Sequence, residues 1–518
     1  MKLTIKRLSI FGLALILAMG KMWGQSEDDL IHEGVRAFQA RDFAQARKLF
    51  AIAVERNPSA RNLDYLALSE SSAGDVDQAI LHFRRSIELG NRSASVHYSL
   101  GLAYLKGHQV SFGLRELQQA LEIDPELKGA RYALAVALLD AGRPTEAVPH
   151  LIEATKQSPC DEAIWVNLVR GQFESGDIQG AMYTIAHATD AMPGKLQLMV
   201  TLGALCYSHR QFQRARHLLE NASELNPDDP DIKLLLAKAS LEAGEPIEAL
   251  AVLKVIHPTQ GRPGEIAFAR GIALALTSRL DEAGAEFASA VEADPRSVRY
   301  LIAQAWVDQL KKNHTKALGV LEKARELDLS TPIIPFRMAV SFLLLGRYKE
   351  AVRSCQEAIS LGPRYDPARL LLGIAELEQQ DFDAAQRAIG EAVAIKPEAA
   401  IYRRELGVAL YKAGKLQSAQ KELDRALALD STAAQTYYWR ARVLAGLGNQ
   451  QGAIADLETV LALEPSITSA YSELGELYSR TGQPQKAQEV LAKQKEVQEA
   501  TSADDRDRFL LELSDPLL

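Results

Sequence analysis

Ala147, Ala181, Ala215, Ala249, Ala283, Ala317, Ala351, Ala385, Ala419, Ala453 and Ala487 stand 34 residues apart without a slip. Gly113 and Ala79 carry the series backwards at the same step, and Ala46 lies 33 residues before Ala79, which gives fourteen units from about Glu27 to Thr501. Length alone would suggest about three or four domains in 518 residues, but a fixed period replaces that count with one repeated supersecondary unit.

Two further columns keep the same phase. Twelve residues before each member of the alanine series stands Gly34, Ala67, Gly101, Ala135, Val169, Gly203, Ala237, Gly271, Ala305, Ala339, Gly373, Gly407, Ala441 or Gly475. Four residues after it comes an apolar column: Phe50, Phe83, Leu117, Leu151, Ile185, Leu219, Leu253, Phe287, Leu321, Cys355, Ile389, Leu423, Leu457 and Leu491. Apolar and small residues at helical spacing, twice per unit, predict two antiparallel helices whose axes approach closely at the small residues. Gly74, Gly142, Gly176, Gly244, Gly346, Gly414, Gly448 and Gly482 share one position between the helices, where glycine can end a helix in the left-handed conformation. Pro58, Pro125, Pro159, Pro193, Pro227, Pro295, Pro363, Pro397 and Pro465 stop the second helix, since proline has no N–H and clashes with the preceding turn.

The third unit reads Leu100-Gly101, Tyr104, Ala120 and Pro125, and the eighth reads Gly271, Ala283, Phe287, Ala290 and Pro295. In these residues the chain resembles the tetratricopeptide repeat family. The resemblance implies an all-α fold, a right-handed superhelical solenoid of about fourteen helix-turn-helix units over residues 25–501, stabilised by neighbouring units. Departures are local. The seventh unit has Gly261 where the proline belongs, between Pro258 and Pro263, which predicts a reshaped loop; Gln494 replaces the small residue of the last unit in a long polar helix, as a cap would.

Residues 1–24 read as an export signal: Lys2, Lys6 and Arg7, then an apolar run from Leu8 to Met19, closed by Lys21. The run is shorter than the ~20 apolar residues a membrane helix needs, so retention as an anchor is the lesser reading. Small residues place cleavage after Gly20 or Gly24, which predicts a periplasmic or secreted protein whose only membrane contact is an uncleaved signal. Loss of the three basic residues would take the net charge from −8 to −11. With no basic block beyond it, the chain is not expected to bind nucleic acid, because that affinity rests on clustered Lys and Arg. Hydrophobic residues at 47% and charged ones at 24% leave no compositional case for disorder.

No catalytic domain fits beside the repeats. His32-Glu33 lacks the second His of a zinc-protease helix, Gly407 to Gly414-Lys415 has the wrong spacing for a phosphate loop, and no Gly-x-Ser-x-Gly elbow occurs. Cys160, Cys206 and Cys355 are too far apart for a metal clip and odd in number for a disulfide framework. The expectation is a non-enzyme with neither cofactor nor metal. Asn91-Arg92-Ser93, Asn221-Ala222-Ser223 and Asn313-His314-Thr315 match the glycosylation triplet and matter only in a eukaryotic secretory route.

The family resemblance implies that positions two, five, nine and twelve of each first helix line a concave groove. There the chain places Tyr98, Tyr132, Phe268, Ile302, Phe336, Arg404 and Tyr438 at position five, Arg170, Trp306 and Arg442 at position nine, and Phe173 and Tyr207 at position twelve. No unit pairs Lys or Arg at position five with Asn at position nine, so the carboxylate clamp of chaperone-docking relatives is not expected, and Asn167 alone makes no ladder for peptide backbone. The remaining expectation is apolar docking of a partner helix or extended segment, best at Phe268, Ile302, Trp306 and Phe336. The tail 502–518, with Phe509, Leu510, Leu511, Leu513, Leu517 and Leu518 among acids, reads as a cap or a docking peptide, and self-association through groove and tail stays open. The implied role is an exported scaffold that organises other proteins. Two alternatives are a part of envelope assembly or exopolysaccharide export machinery, and an adaptor or regulatory subunit of a separate enzyme.

Overall fold

The computed structural model describes residues 26–257 and 261–500, with side chains placed up to Val497. The proposed signal segment and the tail 502–518 lie outside the described residues. Two compact units divide the chain at residues 239 and 240, and each is built from the same helical hairpin. The fourteen hairpins begin with Glu27–Gln39 and Phe43–Arg56 and end with Thr468–Arg480 and Pro484–Ala500.

The crossing inside each hairpin is set by the two small columns. Ala46, Ala79, Ala147, Ala181, Ala215, Ala249, Ala283, Ala317, Ala351, Ala385, Ala419 and Ala453 are all fully buried. Opposite them, a Cβ placed on Gly34, Gly101, Gly203, Gly271, Gly373, Gly407 or Gly475 would stand 2.3 to 2.9 Å from the side chain of Phe50, Leu117, Leu219, Phe287, Ile389, Leu423 or Leu491 respectively. Hydrogen is therefore the only substituent that fits without repacking at those crossings. Where alanine takes that position the partner column still fills the gap, as with Ala339 and Cys355, both fully buried. Leu491 departs from its column: it is 41% exposed, since no hairpin follows it among the described residues.

The turn between the two helices is left-handed in every hairpin. The eight glycines expected there have φ from 70° to 96°. The other six hairpins hold Arg41, His108, Arg210, Ser278, Lys312 and Gln380 at φ 58° to 64°. Side chains with a Cβ resist that conformation, so the two helices and their closing hydrogen bonds must hold it there. Gln380 shows how: its N–H donates to Leu377 O at 3.1 Å and the following Asp381 N–H to Glu376 O at 3.0 Å.

Second helices stop two residues before each proline of the column, for example at Arg56 before Pro58 and at Ile395 before Pro397. Hairpins nine and twelve lack that proline and still stop in phase, at Leu327 and Leu429. Both keep the aspartate turn that hairpins three and eight make beside their proline, where Asp124 and Asp294 accept from Glu126 N and Arg296 N. Asp328 Oδ1 accepts from Ser330 N at 2.7 Å and Asp430 Oδ1 from Thr432 N at 2.9 Å, turns that redirect the chain through a side-chain carboxylate. Thr331, Ser330 and their backbone hold the Asp328 carboxyl down at about 2.

The reshaped seventh unit has a physical form. Its second helix, Pro246–Lys254, has 9 residues where its counterparts have about one more turn, and Pro263 opens the next helix at its first turn. Arg270 closes the short helix by donating from Nη2 to Leu253 O at 2.7 Å and Ile256 O at 2.9 Å.

Candidate functional site

Position five of one first helix meets position six of the next hairpin, 35 residues on. Asn167 Nδ2 donates to Tyr132 Oη at 2.9 Å, and Tyr438 Oη donates to Glu473 Oε1 at 2.8 Å. Burial pushes both phenols above their ordinary pKa. A side chain at position five is thus partly consumed by its neighbour, and this decides which of the expected docking residues remain available.

The patch expected to be best is closed. Phe336 is fully buried and meets Tyr365 edge-on at 5.4 Å; Phe268 is 3% exposed, beneath the Arg299 guanidinium at 4.0 Å; Trp306 is 6% exposed. Ile302 is half-buried and packs against the same apolar cluster as Phe336. These side chains are core of the second compact unit, which corrects their reading as an open docking surface: consecutive first helices pack closely enough to swallow position five when apolar neighbours surround it. Phe173 is likewise buried, stacked on His209 at 4.5 Å.

Others keep an accessible edge but are tied down. Tyr98 is half-buried and its hydroxyl lies over Gly129. Tyr207 is half-buried and meets Phe212 edge-on at 5.7 Å. Arg170 is held between Glu174, at 2.8 Å, and Asp140, at 3.3 Å. Arg404 pairs with Glu405 at 2.8 Å.

The residues that the structure does bring together are Tyr438 and Arg442. The Arg442 guanidinium lies 5.3 Å from the Tyr411 ring centre, 5.0 Å from Trp439 and 5.9 Å from Tyr438, and its Nε is 3.4 Å from Glu473 Oε1. Tyr411 meets Trp439 at 5.9 Å, and Tyr438 meets Trp439 at 5.7 Å. All four side chains are half-buried, so each ring retains an edge toward solvent. A cation fixed among three aromatic faces is both rigid and partly desolvated, the character of an interaction anchor. Trp439 and Glu473 stand at position six, outside the stripe read from the sequence; the signal for them was the 35-residue spacing from position five.

Among the described residues no three His, Cys, Asp or Glu side chains come together to hold a metal. Burial raises the Cys206 thiol to about 12, so this side chain stays protonated and unreactive. No described helix is long and apolar enough to cross a membrane. A hollow of about 660 Å³ between hairpins eight and nine is lined by Gln304, Thr315, Lys316, Lys323 and Glu326 together with apolar side chains.

Tetratricopeptide repeat family models match residues 33–94, 128–171, 207–267, 370–434, 409–466 and 468–501. The chain is 28% identical over 166 residues to mouse (Mus musculus) Superkiller complex protein 3, covering 32% of this chain and 11% of that protein. It is 23% identical over 358 residues to the BBSome complex member BBS4 homolog of Drosophila melanogaster, covering 67% of each. The first match thus spans about a tenth of the relative's length. Among solved structures, Cut9 in the Cut9-Hcn1 hetero-tetramer of the APC/C aligns with 89% of this chain and 98% of its own at 17% identity and a TM-score of 0.42. Yeast Tom70 aligns with 88% of this chain and 94% of its own at 16% identity and a TM-score of 0.38. The in-phase columns, the fourteen hairpins and the matched family models agree: this chain belongs to the tetratricopeptide repeat family.

Proposed function

We propose that this chain is a non-catalytic scaffold that binds other proteins and works outside the cytoplasm. The observation that carries the binding role is the Arg442 cluster, where Tyr411, Tyr438 and Trp439 present ring edges around a cation whose Nε lies 3.4 Å from Glu473 Oε1. Such a surface suits a partner segment with an apolar or aromatic anchor followed by an acid that can take over one face of the guanidinium. Relatives named as members of the Superkiller and BBSome complexes favour work within multi-protein assemblies.

The export reading rests on the basic and apolar sequence of residues 1–24. It favours assembly of envelope or export machinery over the enzyme-adaptor role, since a partner would have to meet the chain after secretion.

Affinity capture from the native envelope, with the full chain as bait and Trp439→Ala, Arg442→Ala as control, tests the binding role. Proteins held by the first and lost by the second support it; the same set held by both would remove this cluster from the function. Mass measurement of the chain recovered from its host tests export, and an intact Met1 in the cytoplasmic fraction would refute it.

A further inference from the structure

The second helix of hairpin seven, Pro246–Lys254, carries an apolar ridge on its outer side. Ile247 is 69% exposed, Ala251 is exposed, and Val255, which continues the helical backbone at φ −85° and ψ −1°, is 65% exposed. Four-residue spacing sets the three on one line along the helix. Ile247 and Val255 are departures from the repeat. The same two positions hold Asp281 and Ser289 in hairpin eight and Lys349 and Glu357 in hairpin ten, and every hairpin from eight to fourteen places polar residues at both. The ridge adds nothing to the core, to which this helix gives Ala249 and Leu253, both fully buried, and a contiguous outward line of apolar side chains marks a contact surface.

The residues around the ridge select its occupant. The central member is the smallest of the three, so another helix can approach closest at Ala251. The exposed Glu248 and Lys254 stand three residues before and three residues after Ala251, one on each flank of the ridge and opposite in charge. The ridge is therefore symmetric in shape about Ala251 and antisymmetric in charge.

In the commonest class of helix packing, with axes crossing at about 50°, the rows of residues four apart on the two helices lie side by side. With a two-fold axis along the paired rows, Ile247, Ala251 and Val255 each lie beside the same residue of the second copy, and each Glu248 lies beside the other copy's Lys254. A two-fold axis across the rows would set Glu248 against Glu248 and Lys254 against Lys254, so the charges also fix the direction of approach. An unrelated helix would need its own acid and base at matching places, whereas a second copy supplies both by symmetry.

We propose that two copies of this chain associate through the helix Pro246–Lys254, ridge beside ridge, with Ala251 at the crossing and a Glu248–Lys254 pair on each side. One crossing of 9-residue helices buries far less than the about 800 Å² per partner of a standard interface, so the dimer is weak and forms at high local concentration. It uses no first-helix residue and stands whether or not the Arg442 cluster binds a partner.

The test is sedimentation equilibrium of the full chain from micromolar to millimolar concentration, over which the mass is expected to rise from monomer toward dimer. Ile247→Asp should weaken association at least about tenfold with an unchanged circular dichroism spectrum, because the side chain is exposed. Glu248→Lys and Lys254→Glu should each weaken it about fivefold, and the two together should return it to within about twofold of the native value. With Cys160, the exposed native thiol, replaced by Ser, Ala251→Cys should oxidise to a dimer linked through residue 251, because Cα atoms at the crossing of axes about 8–10 Å apart are within disulfide reach. A chain that stays monomeric throughout the range would overturn the proposal, as would association untouched by Ile247→Asp or a double charge reversal no stronger than the single ones.

Discussion

Gly373 gives the sharpest test of the packing. It sits at the crossing of hairpin eleven, and a Cβ there would stand 2.3 Å from Ile389 Cγ1 and 3.1 Å from the Ala385 carbonyl oxygen. Ile389 is fully buried and β-branched, so it has little rotamer freedom with which to retreat. Overpacking of this kind costs about 1–3 kcal/mol, while replacing a helical glycine by alanine returns about 1 kcal/mol. Gly373→Ala should therefore destabilise the hairpin by up to about 2 kcal/mol, a factor of up to roughly 30 in its opening equilibrium. The same hairpin supplies the control. Gly390 lies one residue beyond Ile389, and a methyl group there would meet nothing within 4 Å, so Gly390→Ala should stabilise by about 0.5–1 kcal/mol. Hydrogen exchange followed on peptides of residues 366–395 reads both changes locally, which suits a repeat array whose unfolding need not be a single step. Ile389→Cys should relieve Gly373→Ala by about 1 kcal/mol relative to the sum of the single changes, because it recreates the Ala339 and Cys355 pair of hairpin ten. Stabilisation by Gly373→Ala equal to that at Gly390 would refute the close-crossing argument.

Gln380 occupies a left-handed turn without being glycine, at φ 64°, so Gln380→Gly should stabilise hairpin eleven by about 0.5–1 kcal/mol in urea unfolding. Arg440 grips Asp456 with two hydrogen bonds of 2.7 Å and reaches Asp424 at 3.0 Å; with Asp456 buried and Arg440 still touching water, Arg440→Gln should cost about 2 kcal/mol, and Lys should recover less than half of it. The Asp328 carboxyl is held at about 2, below its ordinary 3.8, so its contribution is present above pH 3.8 and is lost as pH falls toward 2. Asp328→Asn should flatten that part of the stability profile, and a wild-type slope unchanged by the substitution between pH 4 and 2 would count against the turn's role.

The crossings were legible in the sequence because a crossing is a local matter: two residues sixteen apart, on two helices joined by a short turn, see the same environment in every unit. The stops were legible for the same reason, and where proline is missing Asp328 and Asp430 keep, at the same repeat position, the side-chain turn that Asp124 and Asp294 make beside Pro125 and Pro295. The docking face was read less well. Whether position five is open depends on which side chains the adjoining hairpins insert, and Phe336 beside Tyr365 comes out buried while Tyr438 beside Trp439 keeps an edge. The position-six partners Asn167 and Glu473 belong to a contact between units, which a column read within units does not contain.

The crossings also bear on how a chain of similar hairpins avoids pairing the wrong helices. Most crossings match a small residue to a large one, and the pair changes from each hairpin to the next: Ala305 with Leu321 is followed by Ala339 with Cys355, Gly373 with Ile389, Gly407 with Leu423 and Ala441 with Leu457. At hairpins ten and eleven a helix closing on its neighbour's mate would leave a void, as Gly373 would against Cys355. Neighbours are the wrong partners closest to hand for a repeat protein as it emerges from synthesis. The unequal pairs of hairpins ten and eleven thus mark each helix for its own mate, whereas hairpins twelve, thirteen and fourteen share leucine at Leu423, Leu457 and Leu491 and rely on chain connectivity to keep the mates apart.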